Sequence, residues 1–170
     1  MGIGVPPRIV NYAFLQELKI ENSPLWDDVV LLGSYCEEPF SSDWIEQNAG
    51  NLLRRLREKI SGQFRMEEGL AYIPSPDSVQ SEDVTLALDQ HFHILLSCIA
   101  LSEQCDDLEY SGKLANETVT IWRQMQALYE SILEHEQLER QFIPIDHSLS
   151  LTDWGIIDAL NNRDMNILLK

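Results

Sequence analysis

The chain has 170 residues, enough for one domain that buries about two-thirds of its unfolded surface. Its 28 acidic side chains outnumber 12 basic ones and leave a formal charge of -16, which repels phosphate backbones and anionic bilayers, so neither nucleic acid nor membrane is expected as a partner. With 44% hydrophobic residues the chain is expected to be globular rather than disordered.

No apolar run of about 18 residues stands out, and no basic stretch leads into an apolar one at the start, so a cytoplasmic protein is expected. Cys36, Cys98 and Cys105 are an odd set with no CxxC, and Cys98 and Cys105 lie two turns apart on one predicted helix. Reduced, buried thiols are the expectation.

In chain order, residues 1–10 carry Gly2, Gly4, Pro6 and Pro7 and read as an extended arm. Asn11 can cap a helix with Phe14, Leu15, Leu18 and Lys19 at helical spacing. Ser23-Pro24 restarts or bends that helix, and Trp26, Val29, Val30 and Gly33 carry it to about Cys36. A second helix is predicted from Ser42, with Asp43 and Glu46 near its positive end. Its stripe is Trp44, Ile45, Leu52, Leu53, Leu56, Ile60, Phe64 and Glu67, ending near Tyr72.

The stretch IPSPDSVQS is a linker, after which Ser81 caps a third helix that runs to about Leu108. Val84, Leu88, His91, Leu95, Cys98 and Leu101 form its stripe. After the turn Tyr110-Ser111-Gly112, a fourth helix carries Ile121, Met125, Leu128, Ile132, His135 and Glu139 and stops at Pro144. Thr152-Asp153 caps a short amphipathic helix in the tail. Strand patterns are nearly absent. The expected fold is therefore all-α: an antiparallel up-down-up-down four-helix bundle over 11–144, an arm over 1–10, and a tail with a short helix over 145–170.

Function is concentrated in LYESILEHEQLERQFIP, where His135 and Glu139 lie one turn apart on an apolar face. Buried there, an imidazole and a carboxylate need partners or a metal. The stretch has an earlier copy, LREKISGQFRMEEGLAYIP, in which Leu56, Ile60, Gln63 and Glu67 match Leu128, Ile132, His135 and Glu139. A repeated polar pair at one depth implies internal pseudo-symmetry.

With His91 from LDQHFHILL, these motifs resemble the hemerythrin-like family of four-helix bundles over roughly residues 11–144. The resemblance implies a non-haem di-iron centre in which Glu67 and Glu139 match the bridging carboxylates and His91 and His135 match histidine ligands. Three departures stand out: Gln63 and Asn22 occupy the histidine positions of one iron subsite, and Leu95 replaces a histidine of the other. A full di-iron centre is therefore not expected.

Two readings remain. One is an eroded, metal-free centre in a binding, sensing or scaffold module, in which Gln63, Glu67 and Asn22 join a hydrogen-bonded network; an enzyme is not expected. The other is a mononuclear iron or zinc protein with a redox or gas-sensing role, its ion held by Glu67, His91, His135 and Glu139. A protein partner or self-association is compatible with both, and the sequence specifies neither.

Other polar positions read as bland. His93 lies about 200° round the helix from His91 and faces a neighbour or solvent. Glu68 and Glu136 flank the matched positions and are expected at the surface or just behind the ligands, while His147 is expected in water. Trp26, Trp44, Trp122 and Trp154 are expected in the core or its seams. Asn116 heads a chance glycosylation sequon, and no nucleophile triad or phosphate loop appears.

Overall fold

The computed structural model describes residues 7–37, 39–74 and 81–142. Asn11 starts the first helix by accepting a hydrogen bond from the Phe14 backbone N–H, and α1 spans Tyr12–Glu21. Asn22 then leaves helical geometry (φ -89°, ψ 44°) and α2 follows as Ser23–Glu37. The expected bend at Pro24 is thus a full break one residue before Ser23.

Ser41, one residue before the expected Ser42, caps the short α3 (Ser42–Trp44), which continues through a π-helical segment, Ile45–Ala49, into α4 (Gly50–Met66). A second π-helical segment, Glu67–Ala71, closes α4. Ser81 caps α5 (Glu82–Tyr110), and α6 runs Leu114–Phe142. Between them Gly112 sits at φ +67°, where a side chain would be strained, and turns the chain back on itself.

Among the described residues the chain is all-α apart from one ribbon that the sequence patterns do not announce. β1 (Arg8–Val10) pairs antiparallel with β2 (Tyr72–Pro74), so the end of the expected arm is tied down as a strand. Three residues on each side are too few to display an alternating pattern. The tail over 145–170, Pro144, most of the IPSPDSVQS linker, His147 and Trp154 lie outside the described residues.

Helix α2 packs on α4 and α6, α4 on α5, and α5 on α6. Partners run in opposite directions along the chain. Trp122 and Gln126 of α6 donate to the carbonyls of Tyr35 and Cys36 at the end of α2, whereas Lys19, before α2 begins, meets Glu136. Likewise Cys98 of α5 reaches the Leu53 carbonyl, while Glu67, further along the chain, meets His91, earlier on α5. Gly33 lets α2 close on α6: a Cβ there would lie 2.5 Å from the Tyr129 ring.

On α5 the buried stripe is Val84, Ala87, His91, Ile94, Cys98 and Leu101. Ala87 and Ile94 thus face inward where Leu88 and Leu95 were expected, and those two leucines are half-buried beside them. By length and composition alone α5 could cross a membrane, yet it carries the buried His91 and packs on both α4 and α6. All three cysteines are free and buried, and burial pushes each thiol up to about 12. Trp26, Trp44 and Trp122 lie half-buried along the seams.

Two apolar clusters fill the interior. The larger spans Leu25, Leu32, Leu53, Leu56, Ile121 and Met125 and ends at Phe64 and Ile132. A smaller one joins Leu15, Ala71, Tyr72, Val84, Leu138 and Phe142. His91 joins the two: its ring stacks on Phe64 of the larger cluster and lies nearly parallel to Tyr72 of the smaller.

Candidate metal centre

The four residues singled out as ligands, Glu67, His91, His135 and Glu139, come together. One ligand atom from each lies within 4.8 Å of the others, and all four side chains are buried. Glu67 opens the π-helical segment after α4, His91 lies on α5, and His135 and Glu139 share a face of α6.

His91 Nε2 faces His135 Nε2 at 3.1 Å and Glu67 Oε2 at 3.0 Å. Glu139 Oε1 lies 3.5 Å from His135 Nε2 and 3.9 Å from His91 Nε2. The far sides of both rings are committed elsewhere. His91 Nδ1 lies 3.0 Å from Glu68 Oε1, and His135 Nδ1 lies 3.1 Å from Gln90 Oε1. A carboxylate or an amide oxygen only accepts, so each Nδ1 must carry the proton. That leaves both Nε2 lone pairs aimed into the same space, unless one of them takes up a further proton.

Aromatic rings fix His91 in place. Phe64 stacks on the imidazole at 3.9 Å between centroids, and Tyr72 lies nearly parallel at 5.7 Å. Phe64 also meets His135 edge-on at 5.4 Å. The Tyr72 hydroxyl donates to Glu139 Oε1. Gln63 and Asn22 form a relay: Asn22 donates to Gln63 Oε1 at 2.7 Å, and Gln63 donates to Glu67 Oε1 at 2.5 Å.

Sequence reasoning placed Lys19 at helical spacing with Leu15 but gave no role to what is the most consequential residue of the cluster. Its side chain is 2% exposed, and Nζ lies 3.1 Å from Glu67 Oε1, 2.6 Å from Glu136 Oε1 and against Glu139 Oε2. The Trp26 ring lies below it, 5.1 Å from Nζ to centroid. The available signal was position, since Lys19 follows the core residue Leu15 by one helical turn. Glu136, expected at the surface or behind the ligands, is buried because it partners that ammonium. Tyr72 was also missed; its role depends on a contact with Glu139 that no local spacing encodes. His93 is exposed, 3.5 Å from Asp89, as expected.

Electrostatics follow from this crowding. Burial alone would lower the Lys19 ammonium, but Glu136, Glu139 and Glu67 hold it well above the usual lysine range. Burial would raise Glu139, yet the charges of Lys19 and His135 keep it well below the usual carboxylate range. Glu136 is raised, because burial outweighs Lys19 there. Burial works to lower His91, and the carboxylates of Glu139, Glu67 and Glu68 override it, lifting the imidazole to about 10. The pocket therefore favours a positive charge at His91 Nε2.

Whether the residues fit a metal ion can be tested on the atoms left over. Glu67 Oε2 and Glu139 Oε2 are fully buried and accept no hydrogen bond, although His91 and Lys19 stand close by. Neighbouring ligands on a tetrahedral ion with bonds of about 2.0–2.1 Å lie about 3.3 Å apart. The spacings of 3.0, 3.1, 3.5 and 3.9 Å among Glu67, His91, His135 and Glu139 lie on both sides of that value, within a group whose ligand atoms all lie within 4.8 Å of one another. Glu68 and Gln90 hold the Nδ1 atoms as outer partners of metal-bound histidines do. The donor set could hold a metal ion.

A crevice beside His135, lined also by Gln63, Glu136 and the apolar Leu25, Val29 and Ile132, has a volume of about 10 Å³, room for one water-sized molecule. Comparison of the chain with protein families, curated proteins and solved structures finds no match.

Proposed function

We propose that this chain is a hemerythrin-like helical protein whose centre holds one divalent d-block ion, iron or zinc, between Glu67, His91, His135 and Glu139, and that it serves as a binding or sensing module. The observation that carries this reading is the pair of facing Nε2 atoms 3.1 Å apart, each on a ring whose Nδ1 is already occupied by an oxygen acceptor. Two lone pairs pointed at each other repel unless a cation stands between them. Imidazole nitrogens with carboxylate oxygens suit zinc and ferrous iron better than magnesium or calcium.

The experiment is elemental analysis of protein grown with iron and zinc, followed by titration of the stripped protein. One equivalent per chain is expected for the parent, and His135→Ala should bind at least a hundredfold more weakly, since it removes a nitrogen ligand from a four-ligand set. A parent chain that takes up neither metal rejects the reading.

A metal-free scaffold is the second reading, favoured by the relay from Asn22 through Gln63 to Glu67 and by the high proton affinity of His91. In that case a proton on His91 supplies the positive charge between the rings. The same titration separates the two readings.

A further inference from the structure

Glu67 and Glu139 each turn one oxygen toward the histidines and the other toward Lys19. Glu67 places Oε2 3.0 Å from His91 Nε2 and Oε1 3.1 Å from Lys19 Nζ. Glu139 places Oε1 3.5 Å from His135 Nε2 and Oε2 against Lys19 Nζ. Two carboxylates spanning two neighbouring cation positions make the layout of a dinuclear site. Here one position is already filled.

We propose that the Lys19 ammonium is a built-in second cation: it occupies an oxygen-lined metal position formed by Glu67, Glu136 and Glu139 and so restricts the centre to a single ion. The inference rests on the mononuclear reading for the histidine position but concerns a different position and a different residue. An ammonium offers three donors, and Nζ has three carboxylate oxygens around it: it donates to Glu136 Oε1 and pairs by charge with Glu67 and Glu139. The Trp26 ring lies below it and offers a further site for a cation. Without that fixed charge the three buried carboxylates would confront each other uncompensated. All three donors in that position are hard oxygens, which suit Mn²⁺, Mg²⁺ or Fe²⁺ more than the nitrogen-containing histidine position does.

The test compares the parent protein with Lys19→Ala, which vacates the position, and with Lys19→Met, which removes the charge but keeps the volume filled. Each is stripped and titrated with Mn²⁺ alone, then followed by elemental analysis, electron paramagnetic resonance and thermal melting. The parent should stop at one equivalent even in excess Mn²⁺ and give the spectrum of an isolated ion. Lys19→Ala should take two, give an exchange-coupled spectrum, and gain more in melting temperature from Mn²⁺ than the parent does. Lys19→Met should remain at one or fewer.

If Lys19→Ala stays at one equivalent, or the parent binds two, the inference is overturned while the histidine position stands. If the parent binds no Mn²⁺, the mononuclear reading is still decided by its own iron and zinc titration, and the inference is decided by Lys19→Ala: one equivalent of Mn²⁺ upholds it and none overturns it. Should Lys19→Ala not fold, the double variant Lys19→Ala with Glu136→Gln removes one charge of each sign and is read in the same way. Failure of that variant to fold even with Mn²⁺ present also overturns the inference, because the ion is expected to replace the ammonium.

Discussion

Each polar side chain at the centre is defined by what its other atoms are doing. His91 can present Nε2 inward because Glu68 holds Nδ1, and the hydrogen bond from His91 in turn keeps the Glu68 carboxyl below its usual range. Glu68 is 44% exposed and touches no other member of the ligand set, which makes it a clean probe of orientation. Replacing it with Gln preserves an oxygen acceptor but removes the charge, whereas Glu68→Ala removes both. We expect metal affinity to fall about tenfold for the first and up to about a hundredfold for the second, with folding retained. Titration with Zn²⁺ and circular dichroism check both points, and equal affinity in all three proteins would mean that Glu68 does not position His91.

At the scale of elements, the centre depends on where helices depart from regularity. Glu67 opens a π-helical segment, which carries the chain from the buried Glu67 through the half-exposed Glu68 to the inward-facing Tyr72. The break at Asn22 lets Lys19 approach from α1 while α2 begins its own packing. The helices themselves were legible, because caps such as Asn11 and Ser81 and apolar repeats of 3.6 residues act locally. The His135–Glu139 pair and its earlier copy were legible for the same reason. Lys19 was not, since its meaning comes from Glu136, 117 residues along the chain.

Between α2 and α4 a second cluster has a simpler purpose. Asp28 accepts from Arg55 at 2.8 Å and from Lys59 at 2.6 Å. Burial works to raise the Asp28 carboxyl, but the hydrogen bonds from Arg55 and Lys59 prevail and its pKa is lowered. A lowered folded pKa means that the unfolded chain binds the proton more readily. The contribution is therefore complete above the ordinary aspartate value of about 3.9 and is lost as pH falls through the lower folded value. Asp28→Asn should cost about 1–2 kcal/mol at pH 7, less than for a fully buried pair because Arg55 is 46% exposed. Urea unfolding from pH 7 down to pH 3 should show the gap between variant and parent closing at the acid end, and a constant gap would refute the assignment.

For the whole molecule the dominant quantity is the charge of -16, which the helical interior neutralises only locally. Lys19 sits among three carboxylates and Asp28 between two cations, while Arg54 bridges to Asp106 and approaches Glu109 at 3.8 Å. These contacts engage few of the 28 acids, so the remaining surface repels itself. Added salt acts on both terms: it weakens exposed ion pairs, worth about 0.2–1 kcal/mol each, and it screens the net repulsion. Sixteen unbalanced charges outweigh a handful of such pairs, and the Lys19 cluster is too deeply buried to be screened appreciably. Raising NaCl from about 0.01 to 0.5 M, which shortens the screening length from about 30 Å to about 4–5 Å, should therefore raise the melting temperature by a few degrees. The metal-stripped protein should respond in the same direction, since this term belongs to the surface rather than to the centre. A melting temperature that falls with salt would mean that surface ion pairs, not net repulsion, govern the stability of the fold.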